Sequence, residues 1–320
     1  MRPTGIATAR RDRQSPIIPS VIDTPPEPHP SETVPGFLVA LIFGVLSVLW
    51  VVFLNVAAGL AMAAMMFDGD GPPDMEALQA VFADPLMLGL SALLQTGGLL
   101  GIAFGLMFFL KRPFGRGLAI RRSRMAPLGA AVVVGLTAGF FAGWIAELLS
   151  RVEAFDSAIF DMIGDALLDG PLAPRLIFLA VVVVFAPLVE ELIFRGFLWD
   201  SLEESWGSTG AWLATSVLFA GYHLVPLHVI SIFSTGLLIG WLRKVSGSVW
   251  PCVLAHFVNN ALSSVFVFAS GSEEEYVVGF GQAMAGLAAC LVAGVVAWRW
   301  GRPSTRPARL VRSEAPLESD

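Results

Sequence analysis

Eight long apolar runs divide this chain, at about residues 37–66, 86–110, 126–149, 176–198, 209–225, 228–242, 249–268 and 277–299. A helix needs about 20 apolar residues to cross the ~30 Å hydrocarbon core of a bilayer, with a usual range of about 17–25. Six of the runs meet that requirement. The fifth and sixth are shorter and are separated only by Pro226 and its neighbours. They read either as two tight spans or as a broken, partly re-entrant pair, which is tolerated where protein buries the backbone. Only 14% of the 320 residues are charged and 55% are hydrophobic, whereas a soluble domain carries about 25% charged residues. The expected fold is therefore an all-α integral membrane protein of about eight transmembrane helices.

The charges test this map, because loops on the cytoplasmic side of a membrane collect Lys and Arg. With eight spans, both termini share a side. On that side fall Arg2, Arg10, Arg11 and Arg13, then Lys111, Arg112, Arg116, Arg121, Arg122 and Arg124. Arg195, Arg243, Lys244, Arg299, Arg302, Arg306, Arg309 and Arg312 complete a set of 18 of the 20 basic residues. Only Arg151 and Arg175 fall opposite, among Asp68, Asp70, Asp74, Asp156, Asp161 and Glu273–Glu275. The expectation is a multi-pass protein of the cell membrane with both termini cytoplasmic. The net charge of −6 says little about partners once it is sorted by side, and nucleic-acid binding has no support. Cys252 and Cys290 lie in apolar runs and read as small buried hydrophobes, too few for a disulfide framework or a cysteine metal site.

The expected organisation is a proline-rich disordered tail over 1–36, helices one to three with their loops over 37–175, and a catalytic unit of helices four to seven over 176–268. An eighth helix over 269–300 and a basic tail over 301–320 follow. No short apolar core of a cleavable signal precedes the first run, so that run reads as an uncleaved anchor.

Ionisable residues inside spans cost about 2.5–3.5 kcal/mol each on insertion scales, so each needs a reason. The first three runs offer only Glu147, near an end. The fourth carries Glu190 and Glu191 followed by Arg195, the fifth His223, and the seventh His256, Asn259 and Asn260. Glu191 and Arg195 are four apart, as are Phe219 and His223, and His256 and Asn260. Each pair shares a helix face. At about 1.5 Å per residue, Glu190 lies about 9 Å from the inner boundary of the core, His256 about 10 Å and Asn260 about 16 Å. His223 comes out too deep, at about 21 Å, unless the fifth helix begins late or tilts. The picture is one cavity in the cytoplasmic half, lined by helices four, five and seven.

Glutamate and histidine kept from bulk water suit general-base activation of water, and histidine readily shuttles the proton. A second histidine and an amide can donate to the oxyanion of acyl transfer. Glu190 would activate water with help from His223, while His256 and Asn260 would hold the tetrahedral intermediate. Glu191 and Arg195 would brace the site, or Arg195 would steer a substrate carboxylate. Zinc is the competing chemistry: Glu190, His223 and His256 could hold Zn²⁺ with an open position, although no His-Glu-x-x-His helix is present. The metal-free reading is favoured. His228 reads as an interfacial structural residue, His29 as part of the tail, and Asn259 as a supporting or helix-packing side chain. Trp199, Trp206, Trp241 and Trp250 read as an interfacial belt, and Gly139 with Gly143 as a helix-packing pair.

The three polar groups also form an ordered set of motifs. Glu190-Glu191-Leu192-Ile193-Phe194-Arg195 fits E-E-x-x-x-R, Phe219-Ala220-Gly221-Tyr222-His223 fits F-x-x-x-H, and His256-Phe257-Val258-Asn259-Asn260 fits H-x-x-x-N. In that order on successive apolar segments, over roughly residues 176–262, they resemble the CPBP intramembrane proteases, also called the Abi or CAAX-protease family. The resemblance implies an all-helical membrane fold with a site open to the cytoplasmic leaflet, its motif positions at Glu190, Glu191, Arg195, His223, His256 and Asn260. Eukaryotic members remove the terminal tripeptide of prenylated CAAX proteins. The family has been described both as zinc-dependent and as glutamate peptidases. The substrate class expected here is a peptide or small membrane protein, lipidated or not, met among membrane lipids. A non-catalytic peptide-binding or immunity protein is the alternative, and a proton-coupled transporter a third. Against transport, the helix pattern has no internal repeat and the polar groups cluster on one side.

Overall fold

A computed structural model describes residues 34–66, 81, 84–112, 114–152, 164, 167–168, 170–270 and 277–301. The expected tails over 1–36 and 301–320 lie almost wholly outside the described residues, as do His29, the tail arginines and the acidic loop residues. Every described element is helical, with no strand among the described residues. Seven helices are long and apolar enough to cross a membrane. They are α1 (Gly36–Met66), α2 (Pro85–Phe109), α3 (Met125–Ser150), α4 (Leu172–Gly221), α5 (Pro226–Ser246), α6 (Trp250–Ser270) and α7 (Phe280–Gly301).

Local chemistry sets several of the ends. Asp84 caps α2, its carboxylate accepting the Leu86 and Met87 N–H groups, with Pro85 at the first helical position where a missing N–H costs nothing. Pro226 opens α5, and Gly247 closes it with a left-handed φ of 68° and an N–H that donates to the Arg243 carbonyl. The Ser248 hydroxyl then accepts the Trp250 N–H at the start of α6 (3.3 Å).

The fourth and fifth apolar runs are joined in α4, a 50-residue stretch that would be about 75 Å long if straight. It is not straight. Gly207 has φ 66° and ψ 173°, a conformation essentially reserved for glycine, and the chain doubles back there. Arg195 lies twelve residues before Gly207 and Phe219 twelve after, yet the Arg195 guanidinium carbon sits 4.4 Å from the Phe219 ring centre. Equal arms of about 18 Å from the bend bring them level. The first arm, residues 172–206, extends past the apolar run because the polar turn around Asp200, Glu203 and Glu204 remains helical. That extension removes the depth mismatch expected for His223: it lies sixteen residues beyond Gly207, and Glu191 sixteen before. Gly207→Ala is expected to destabilise the protein by about 1–3 kcal/mol, measured as a lowered melting temperature in detergent. A neutral result would mean that another residue can make the bend.

Two apolar clusters flank the hairpin. One joins α1, α2 and α4 through residues such as Phe43, Leu99, Met107, Ile193, Trp199 and Phe219. The other joins α3, α5, α6 and α7 through Val134, Ile239, Leu242, Cys252, Cys290 and Ala297. Close approach within the second depends on small residues: a Cβ on Gly135 would come within 2.6 Å of the Ala255 carbonyl oxygen. Gly139 lies against Asn259, and Gly143 against Val278. Both cysteines are buried and free. Glu147 pairs with Arg151 at the end of α3 (3.1 Å).

The tryptophan belt needs correction. Trp206 and Trp250 are exposed, but Trp199 is fully buried, its indole N–H donating to Glu203 (3.2 Å). Trp241 donates to the Gly294 carbonyl on α7 (3.2 Å). Both lie near the ends of apolar runs, and neighbouring helices cover them.

Candidate active site

The site begins with an irregularity in the first arm of α4. The Ala186–Glu191 turn is ordinary α-helix, but π-helical segments flank it at Val181–Phe185 and Leu192–Leu198. Such segments are uncommon and recur at functional sites. Each presents a carbonyl that another helix captures. Asn260 of α6 donates its amide to Val182 (2.8 Å), and Arg243 of α5 donates its Nε–H to Arg195 (2.8 Å). The Glu190–Glu191 turn is thus held at both ends by side chains from elsewhere in the fold.

Glu191 is the hub. Its Oε1 accepts from Arg195 Nη1 (3.0 Å) on the same helix and lies 2.9 Å from His256 Nδ1. Glu191 and Arg195 are fully buried, so the pair faces the low dielectric that makes an unpartnered charge so costly. Arg195 Nη2 reaches the Gly236 carbonyl of α5 (3.0 Å), and its guanidinium lies over the Phe219 ring, a cation–π contact. Among the described residues, Glu191 Oε2 and Arg195 Nε are buried without a hydrogen-bond partner.

Glu190 points to the other side of the same imidazole, its Oε2 3.9 Å from His256 Nε2. A carboxylate can only accept, so an ionised Glu191 fixes a proton on His256 Nδ1 and leaves Nε2 facing Glu190. His223 is placed differently. Its Nδ1 lies 2.9 Å from the Phe219 carbonyl, which again demands a proton on Nδ1 and leaves Nε2 for chemistry. The Phe219 ring stands between the two imidazoles, 5.3 Å from His223 and 5.5 Å from His256 by ring centres.

The structure therefore brings Glu190, Glu191, Arg195 and His256 together, sets Asn260 on the same α6 face, and holds His223 one aromatic ring away. Among the described residues no group of three His, Cys, Asp or Glu side chains is arranged to hold a metal ion. The zinc set of Glu190, His223 and His256 is not assembled in this structure. His228 is not merely interfacial: its ring lies 4.8 Å from that of His223.

Sequence reasoning missed the outer brace. Arg243 reads from the sequence as one more cytoplasmic charge, but it is buried, pairs with Asp200 (2.8 Å) and lies over Trp199. The available signal is its place at the very end of an apolar run, seven residues after Gly236 on one face of α5. Arg195 reaches α5 at Gly236 while Arg243 reaches back to Arg195, so the two arginines clasp the helices reciprocally. Arg243→Lys cannot keep both the carbonyl and the Asp200 bond. It is expected to cost about 1.5–3 kcal/mol, measured by denaturant or thermal unfolding of the purified protein.

Residues 172–262 match the family model described as type II CAAX prenyl endopeptidase Rce1-like. That stretch of the chain is similar to Rce1-like domains. The matched stretch runs from the start of α4 to the Asn260 face of α6, and so contains the Glu190–Arg195 turn, the Gly207 hairpin, His223, His228, His256 and the Arg243 brace. Helices α1, α2, α3 and α7 lie outside the match. The matched description is that of a CAAX prenyl endopeptidase. No curated protein and no solved structure matches the chain.

Proposed function

We propose that this protein is an intramembrane endopeptidase that hydrolyses peptide bonds of a peptide or membrane-associated protein, CAAX-type processing included. The observation that carries the reading is the convergence of Glu190, Glu191 and His256, buried between membrane-spanning helices within the Rce1-like stretch. A carboxyl pair around one imidazole has no structural need inside a bilayer, where each ionisable group is costly.

Glu190 acts as the base. It takes a proton from water as the water oxygen bonds to the scissile carbonyl carbon. Glu191, paired with Arg195, holds His256 by Nδ1 and sets its Nε2 beside the developing oxyanion. Asn260 spends one amide proton on Val182 and offers the other to the same oxygen. When the C–N bond breaks, the proton taken by Glu190 passes to the leaving amine, with His223 Nε2 as the relay. Arg195 is a bracing residue, since both its charge and its stem are enclosed.

The membrane arrangement proposed with this activity treats each arm of α4 as a crossing. The seven helices then make eight spans in the cell membrane, with both termini cytoplasmic and the site in the cytoplasmic half. The catalytic unit is the two arms of α4 together with α5 and α6, over 176–268, with the remaining helices as its membrane frame. The family's description names prenylated substrates; a peptide or small membrane protein is the class proposed here.

The test is cleavage by the purified protein in liposomes, with membrane peptides as probes and products identified by mass spectrometry. Discrete hydrolysis products support the reading. Peptides that are bound tightly and returned intact would point to the non-catalytic binder.

A further inference from the structure

The connection from α2 to α3, residues 110–124, lies outside the matched stretch yet is fastened to the helices that carry the site. After one helical turn, Phe114–Gly117, Leu118 and Ala119 are buried. Leu118 packs by its backbone on the π-helical Leu192–Leu198 segment: a Cβ on Gly196 would come within 2.9 Å of the Leu118 Cα. Ala119 holds a left-handed φ of 51°, which a residue with a Cβ keeps only where its surroundings impose it. Those surroundings are the approach to α6. The Ala119 carbonyl accepts the Val249 N–H (3.2 Å), and the Arg121 carbonyl accepts the Ser248 hydroxyl (2.6 Å). Nearer α2, Arg112 donates to Ser201 (3.2 Å) and Glu204 (3.0 Å) of α4.

The backbone of the connection is thus fixed against α4 and α6, while its later charges face outward. Arg121, Arg122 and Arg124 are exposed, and among the described residues none of them forms a salt bridge. Arg121 lies within electrostatic reach of Asp200, the partner of Arg243. Apolar side chains fringe the arginines. Phe108 and Phe109 at the end of α2 are 71% and 79% exposed, and Met125 at the start of α3 is 79% exposed. Guanidinium groups beside bare aromatic and aliphatic side chains fit the boundary where hydrocarbon gives way to lipid phosphates. A soluble acidic peptide or a nucleic acid would satisfy the charges and leave the fringe in water.

We propose that Arg121, Arg122 and Arg124 form a binding site for the phosphate of an anionic phospholipid, in the leaflet that the α2–α3 connection faces. Arginine suits this ligand because its planar fork offers phosphate oxygens two parallel N–H bonds. A zwitterionic phospholipid carries its own cation beside the phosphate and gains less. The same short stretch of backbone touches the π-helical segment at Gly196 and the approach to α6 at Ser248 and Val249, so a bound headgroup stabilises the fold beneath the Glu190–His256 cluster. The assignment stands apart from the endopeptidase reading, since nothing in it requires a bond to be cleaved.

The experiment uses the full chain in phosphatidylcholine liposomes. The probe is a trace of phosphatidylglycerol with a diazirine on its headgroup, and labelled peptides are mapped by mass spectrometry after irradiation. Labelling is expected within 108–125, displaced by unlabelled phosphatidylglycerol and not by further phosphatidylcholine or by inorganic phosphate. Each arginine near an anionic ligand contributes about fivefold, so Arg121→Gln, Arg122→Gln and Arg124→Gln should each weaken binding by that factor and together roughly a hundredfold. Lys244→Gln removes a charge at the same end of the helices, where the ammonium is held by Thr209, and should leave binding unchanged. Phosphatidylglycerol should also raise the melting temperature of the wild-type protein and leave that of the triple variant unaltered. Labelling centred on other segments, an equal loss in Lys244→Gln and in the single arginine variants, or displacement by inorganic phosphate overturns the site. So does a melting temperature raised equally in the wild-type protein and the triple variant.

Discussion

Glu190→Gln is expected to reduce cleavage by about 10²–10⁴-fold, the range supplied by a positioned general base, without loss of folded protein. The substitution keeps size and shape and removes only the ability to take a proton. Among the described residues Glu190 makes no short side-chain bond, its nearest ion-pair partner being His256 Nε2 at 3.9 Å. The fold therefore has little invested in its charge. Glu190→Asp moves the carboxylate back by one methylene and is expected to cost about 100-fold, as displacements of about 1 Å at a reacting centre do. Rates on a membrane peptide in liposomes, read beside melting temperatures, check both. A fully active Glu190→Gln protein would sink the mechanism.

Arg195→Met gives the opposite pattern, a large loss of stability. Both members of the Arg195–Glu191 pair have side chains with 0% exposure. Removing the arginine leaves a carboxylate without its counter-charge in a dry interior, at a cost of about 3–5 kcal/mol. The Gly236 carbonyl keeps a second donor in Ser216 (3.1 Å), so the loss is concentrated on Glu191. The double variant Glu191→Gln with Arg195→Met should recover much of it, because no uncompensated charge remains. Unfolding free energies of the four proteins form the cycle. Additive losses would mean that the two residues act independently, despite their 3.0 Å separation.

Much of the architecture is legible in the sequence, because bilayer-spanning helices must be long and apolar and little else satisfies their backbone. The eight runs recur within two to four residues of the observed helices at most ends. What escapes is geometry that composition does not encode. The polar extension around Asp200, Glu203 and Glu204 is helical without being apolar, so the depth of His223 cannot be judged until the hairpin at Gly207 is seen. The motif spacings place Glu191 beside Arg195, and His256 on the same face as Asn260. They are silent on which glutamate takes the short bond to His256. That depends on π-helical segments whose carbonyls are captured from α5 and α6, a tertiary effect with no local signature. Arg243 is hidden for a related reason: a single arginine near a run end looks like any cytoplasmic charge until its partner Asp200 appears opposite.

The most direct measurement compares newly formed peptide termini in membranes carrying wild-type protein or Glu190→Gln at matched abundance. Termini found only with the wild-type protein, at bonds in peptides or membrane proteins, are the expected result and would identify the substrates as well. Identical sets of termini from two folded, equally abundant proteins would contradict an endopeptidase that depends on Glu190.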